Sequence, residues 1–146
     1  MLKAEGKSFL LKPFQKKGEE SLTEQLRLAG TVARSASTLH IRYELTGPVD
    51  EVLLPARHCS PRRRDGLWQS TCFELFLAAS GLPQYQEVNL SPFGDWNVYT
   101  FSDYRQGKGM QEELAVRVLP FKEQRQPKSY RLALDVPLAK FIRLVP

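Results

Sequence analysis

Between Leu67 and Ser102 the sequence changes character every second residue in three successive runs, and this repetition constrains the fold more than any other feature. Phe73, Leu75 and Leu77 alternate with Cys72, Glu74 and Phe76. After Ser80-Gly81-Leu82-Pro83, Val88 and Leu90 alternate with Tyr85, Glu87, Asn89 and Ser91. A second turn, Pro92-Phe93-Gly94-Asp95, leads into Trp96 to Phe101. Period two belongs to a strand with one buried side, and short turns between three such runs predict a β-meander.

The flanks read the same way. Leu39, Ile41, Tyr43 and Leu45 alternate with His40, Arg42, Glu44 and Thr46 before Gly47-Pro48 ends the run. Further strands are expected at Leu114, Val116 and Val118, and at Tyr130, Leu132, Leu134 and Val136, with Lys122 to Lys128 as a polar loop between them. Ser8 to Leu11 reads as an edge strand. Gln25 to Ala33 reads as another, although Leu26 and Leu28 also fit one helical turn. Glu51 to Pro55 reads as a short strand, and Ala56 to Gly66 as a loop. Amphipathic helical periodicity is nearly absent. Seven or eight short strands in 146 residues, a common size for one domain, predict a single all-β antiparallel sandwich over residues 1–146. The apolar Leu138 to Pro146 segment implies either a longer natural chain or an end packed on a sheet.

Composition narrows the function classes. Met1 to Gly6 has no apolar export core, and no apolar run approaches the roughly 20 residues of a membrane-spanning helix. Two cysteines, Cys59 and Cys72, are too few for a disulfide framework, so a cytoplasmic protein with no membrane partner is expected. The net charge of +5 raises the question of nucleic acid. Arg62-Arg63-Arg64 is the dense basic cluster, but it sits between Pro61 and Asp65-Gly66 in turn-forming context. Other basic residues are scattered among carboxylates. A loop at a ligand's edge is expected, rather than a nucleic-acid surface.

Strand parity decides which side chains share a face. Pairing Ala78 with Tyr85 sets Phe76 opposite Glu87 and Glu74 opposite Asn89. Pairing Ser91 with Trp96 would set Asn89 opposite Val98 and Glu87 opposite Thr100. One face then carries Phe73, Leu75, Leu77, Val88, Leu90, Tyr99 and Phe101. The other carries Trp68, Cys72, Glu74, Phe76, Tyr85, Glu87, Asn89, Ser91, Trp96, Val98 and Thr100. Aromatic rings beside carboxylates and an amide suit a sugar-like ligand, whose C–H faces stack while its hydroxyls hydrogen-bond. The structural alternative is a covered face, with Glu74 and Glu87 bonded to backbone or to Arg62 to Arg64.

The stretch from Arg63 through Trp68, Phe73-Glu74-Leu75-Phe76-Leu77 and Tyr85-Gln86-Glu87-Val88-Asn89-Leu90-Ser91-Pro92 to Tyr99, followed by Tyr104-Arg105, resembles the DOMON-like domains of bacterial proteins. These are grouped with the family 9 carbohydrate-binding modules and the haem- and sugar-binding DOMON domains. The resemblance covers about a third of the chain and implies a jelly-roll-like sandwich with its ligand on a concave sheet face. Trp68 stands where the carbohydrate-binding members carry a stacking tryptophan; Trp96 is a second candidate. Structural calcium and haem are also implied as cofactors of relatives.

Other chemistries leave weaker marks. Haem would need Met110 with His40 or His58, and nothing in the sequence brings them together. His58-Cys59 with Cys72 lacks a fourth zinc ligand, and no dense Asp cluster marks a calcium site. Glu74 and Glu87 on adjacent strands have a spacing compatible with a glycosidase pair, but no cleft or oxyanion site accompanies them. Cys72 reads as a packed thiol rather than a reactive one. The Asn89-Leu90-Ser91 sequon lies in a strand of a chain with no visible export signal, so it is expected to stay unmodified. The expected protein is a non-enzymatic binder of a saccharide or other small polar ligand. Trp68, Glu74, Glu87, Asn89 and Trp96 form its face, with Arg63, Arg64 and Arg105 at the rim. The alternative is a module that docks another protein or domain through the same face.

Overall fold

The structure, a computed structural model, describes residues 5–14, 22–58, 60–103 and 110–141. The chain is all-β, with two antiparallel sheets as the sandwich class requires. By internal contacts it divides into two compact units, Met1–Leu53 with Pro120–Pro137 and Leu54–Leu119 with Leu138–Pro146.

The first unit holds a five-stranded sheet in the order β1-β2-β3-β9-β8. Its strands are β1 (Glu5–Leu11), β2 (Arg27–Ser35), β3 (Thr38–Thr46), β8 (Phe121–Gln126) and β9 (Ser129–Pro137). Ile41, Tyr43 and Leu45 of β3 lie opposite Leu134, Leu132 and Tyr130 of β9. All six are buried, so the expected alternation of both strands holds. Gly30 of β2 sits between Phe9 and Tyr43 in one cross-strand row. The two rings meet edge to face over it, 5.7 Å apart.

The second unit holds a four-stranded sheet, β4 (Phe73–Ala78), β5 (Tyr85–Leu90), β6 (Trp96–Phe101) and β7 (Gln111–Glu112), in sequence order. A short helix, α1 (Leu138–Phe141), belongs to the same unit. The β4–β5 register is the expected one, Glu74 against Asn89 and Phe76 against Glu87. The β5–β6 register differs by one residue: Leu90 pairs with Trp96, Asn89 with Asn97 and Glu87 with Tyr99. Asp95 is drawn into the turn, where Ser91 N donates to its carbonyl at 2.9 Å and Gly94 N donates to Ser91 O at 2.8 Å. Gly94 supplies the positive φ of 115° that this wider, five-residue turn requires. One residue of slip turns every β6 side chain over. Trp96, Val98 and Thr100 therefore share the apolar face with Val88 and Leu90. Asn97, Tyr99 and Phe101 join Glu87 and Asn89.

Three strand expectations are corrected. Val49–Glu51 forms a 3-10 turn followed by extended coil, in place of a strand from Glu51 to Pro55. Leu114 and Val118 are exposed while Val116 and Leu119 are buried, a spacing of three that no strand keeps, and the segment is irregular. Conversely Phe121–Gln126, within the expected polar loop, is a strand. As an edge strand with mostly polar side chains on both faces, it shows little periodicity.

Candidate functional site

Pairing across β4, β5 and β6 places Glu74, Asn89 and Asn97 in one row, Phe76, Glu87 and Tyr99 in the next, and Ala78, Tyr85 and Phe101 in the third. Tyr85 stacks on Phe101 with centroids 4.8 Å apart and planes 4° from parallel. Phe76 lies 6.2 Å from Tyr85 and is 60% exposed. This end of the face is an open aromatic strip.

The other end is covered. Gly66, at a positive φ of 76°, turns the chain into a 3-10 turn, Leu67–Gln69, that precedes β4. Trp68 is therefore carried by a turn that precedes the strand. Its ring meets Tyr99 edge to face at 5.7 Å, and it remains 45% exposed. Beneath, the Tyr99 hydroxyl donates a short hydrogen bond to the Asp65 carboxylate and accepts from Asn97 Nδ2 at 3.0 Å. Burial first, then the Asp65 hydrogen bond and charge, push the Tyr99 phenol upward, so this hydroxyl remains a donor. Asn97 Nδ2 also donates to Glu112 Oε1 at 3.1 Å.

Asn89 is 0% exposed, and neither its Oδ1 nor its Nδ2 has a hydrogen-bond partner among the described residues. An orphaned buried amide is uncommon and calls for an explanation. Beside it, Glu74 is pushed up, first by burial and second by the Glu87 carboxylate. Burial and the same two carboxylates raise the Cys72 thiol to about 12. The thiolate fraction at neutral pH is then roughly a thousandfold below that of a free cysteine. Iodoacetamide at pH near 8 is expected to leave Cys72 unmodified in the folded protein and to label it readily in urea. Peptide mass mapping reads this directly, and rapid native labelling would contradict the buried, acidic setting.

The structure brings Trp68, Glu74, Glu87 and Asn89 to one face and removes Trp96 from it. Trp96 lies on the opposite side, 4% exposed, with the Arg63 guanidinium 4.7 Å from its ring centroid. Arg63 is an internal brace as well. It donates to Asn97 Oδ1 at 2.6 Å, to Glu113 O at 2.8 Å and to Val116 O. The Arg62–Arg64 backbone docks on β6, with Trp96 N donating to Arg62 O and Arg64 N to Trp96 O. Arg64 is exposed, its NH1 3.8 Å from Asp95 Oδ2. Arg105 lies outside the described residues, as does Cys59. Tyr99, Asn97, Phe101 and Asp65 are the face residues that sequence reasoning missed. The first three needed only the correct length of the Ser91–Asp95 turn; the glycine in that turn was the available signal.

His58 does not suit an axial haem bond. Its Nε2 is 2.6 Å from Asp95 Oδ1 and its Nδ1 accepts from Ser60 N at 3.2 Å, so both ring nitrogens are engaged. His40 Nδ1 is likewise held by Asp135 at 2.8 Å. Among the described residues no group of three His, Cys, Asp or Glu side chains converges as a metal site. No described helix is long and apolar enough to cross a membrane.

Two concavities accompany these features. One of about 330 Å³ lies between the Trp68 turn and the Ser91–Asp95 turn, lined by Arg64, Asp65, Leu67, Ser70, Ser91 and Asp95 among others. A larger groove of about 790 Å³ lies on the five-stranded sheet, over Ala29, Thr31, Arg42, Glu44, Arg131 and Ala133. Two of its charged groups pair within the lining, Arg131 with Glu44, while Arg42 pairs with Asp135 and Glu123 with Arg125 outside it. The smaller space shares Asp65 with the Tyr99 hydrogen bond and Arg64 with the expected rim, while Trp68, Glu74, Glu87 and Asn89 are not among its lining residues.

No protein-family model matches the chain, and no curated protein is similar to it. A solved structure shares the fold. It is that of a putative carbohydrate-binding protein from Bacteroides uniformis, 12% identical, with a TM-score of 0.65 over 92% of this chain. This chain spans 62% of that protein's length. At such identity the likeness concerns architecture, which agrees with the two antiparallel sheets found here.

Proposed function

We propose that this protein is a non-catalytic binding module for a saccharide or a comparable polyhydroxylated molecule, held on the β4–β6 face. Trp68 is the stacking platform, Tyr99 supports its ring, and Glu74, Glu87 and Asn89 hydrogen-bond the ligand's hydroxyls. The observation that carries this reading is Asn89. A fully buried amide with two unused hydrogen-bonding atoms, beside two carboxylates and a half-exposed indole, is a recognition group awaiting a polar partner. The carbohydrate-binding description of the solved neighbour is consistent with it. Arg64 remains a rim residue in this reading; Arg63 and Trp96 hold the scaffold.

Isothermal titration against a panel of mono- and oligosaccharides tests the proposal. At least one sugar is expected to bind, and Trp68→Ala is expected to weaken it by about tenfold or more through lost stacking area. The exposed Phe76 favours a second reading, in which the same face docks a protein partner. Silence across the sugar panel would favour that reading over the first.

A further inference from the structure

The larger groove, about 790 Å³, is lined entirely by the first unit and by none of the residues of the β4–β6 face. It crosses the strands instead of following one. Backbone pairing aligns Ser8, Thr31, Arg42, Ala133 and Lys122 in one row, and Ala29, Glu44, Arg131 and Gln124 in the row two residues away. Both rows line the groove. The row between them turns its side chains to the other side of the sheet, where Tyr43 and Leu132 are buried. The groove is thus a trough from β1 to β8, four strand spacings or about 19 Å long. Short side chains at Ala29, Thr31 and Ala133 leave room between the long ones of Arg42, Arg131 and Lys122.

The lining carries the cations Arg27, Arg42, Lys122 and Arg131 against the carboxylates Glu44 and Glu123. Glu44 answers Arg131, Asp135 answers Arg42, and Glu123 already holds Arg125 and the Tyr130 hydroxyl. Arg27 and Lys122 make no ion pair among the described residues. The register sets these two at diagonal corners of the trough, three strands and four residues apart, or about 20 Å between Cα atoms. A small anion reaches one of them; a chain with repeated negative groups reaches both. Neither outward row holds an aromatic ring, so a neutral sugar or a nucleobase finds no stacking surface. A peptide finds no free sheet edge in mid-trough, because β2, β3 and β9 each pair on both sides. Ser8, Thr31 and Gln124 place hydrogen-bonding groups suited to hydroxyls along the way.

We propose that this trough is a second binding site, for a linear acidic glycan whose sugar rings carry carboxylates. The chain lies across the strands of the five-stranded sheet, its carboxylates at Arg27 and Lys122 and its hydroxyls toward Ser8, Thr31 and Gln124. The site stands apart from the β4–β6 reading and does not depend on it.

The test compares hexagalacturonate, its fully methyl-esterified form, hexaglutamate and a short oligothymidylate by titration calorimetry at neutral pH. Hexagalacturonate is expected to bind about tenfold more tightly than the ester, which keeps the same sugar backbone without its charge, and to weaken as salt is raised. Arg27→Gln and Lys122→Gln should each cost about threefold, and together about tenfold. Thr31 is exposed on the outer face, so Thr31→Glu puts a carboxylate in mid-trough at little risk to the fold and should abolish binding. Each variant is checked for a native melting transition. Trp68→Ala should leave hexagalacturonate binding unchanged, which separates this site from the β4–β6 face. Equal affinity for the acid and its ester would overturn the charge assignment, and silence toward hexagalacturonate would overturn the site. Hexaglutamate or oligothymidylate binding as tightly as the glycan would overturn the ligand class. Binding that survives Thr31→Glu and the double substitution, or that is lost in Trp68→Ala, would overturn the location.

Discussion

Asp95→Ala is expected to destabilise the folded protein by about 2–4 kcal/mol, because two donors lose their buried acceptor at once. Asp95 is 1% exposed, and its Oδ1 receives both the His58 ring at 2.6 Å and the Arg62 backbone N–H at 3.1 Å. Its backbone carbonyl also closes the turn that sets the β6 register. Removing the carboxylate strands a part-buried imidazole and a main-chain donor at one point. Asp95→Asn keeps one oxygen acceptor and should cost clearly less. Urea unfolding followed by tryptophan fluorescence measures both. Equal, small losses for the two variants would mean that the carboxylate contributes little and that the turn stands on its backbone alone.

The second large effect is expected at Gly30→Val, with a loss of about 3 kcal/mol or more and a lower yield of folded protein. A Cβ at Gly30 would come within 2.0 Å of the Arg42 carbonyl oxygen and 2.5 Å of Phe9 Cζ. Phe9 can swing aside; the β3 backbone cannot without breaking its pairing with β2 or β9. The substitution therefore sets a strand-favouring side chain against the central strand of the sheet. Its effect should follow side-chain size, with Ala the milder of the two. Thermal melts of both variants check this, and a stable Gly30→Val protein would show that β2 relaxes more easily than its contacts suggest.

Much of the scaffold was legible because its central strands keep one side dry. β3, β4 and β9 bury one side more than the other along their length, as does β5 up to Val88, and period two is visible wherever burial is one-sided. β8 escaped notice because Lys122, Gln124 and Gln126 on one side face Glu123 and Arg125 on the other, which leaves little contrast to read. Leu114, Val116 and Val118 gave the opposite error, an alternation in letters that the backbone does not follow. The binding face was half legible. Glu74, Glu87 and Asn89 follow from parity across a turn whose length hardly matters to that pairing. Trp96 was misplaced because parity across the next turn depends on whether four or five residues form it. Hydrogen bonds of Ser91, Gly94 and Asp95 decide that count. The role of Arg63 depends on the path of the irregular segment around Glu113 and Val116, which has no local sequence signature.

The order of strands in the five-stranded sheet has a consequence for how the protein is made. β3 lies between β2 and β9, and the bonded residues His40 and Asp135 are 95 positions apart. A nascent chain therefore exposes one entire flank of β3, with Ile41, Tyr43 and Leu45 lacking their cross-strand neighbours, until Ser129–Pro137 leaves the ribosome. Until then the emerging polypeptide offers a sticky ribbon to any passing strand, and chaperone demand should peak in that interval of translation.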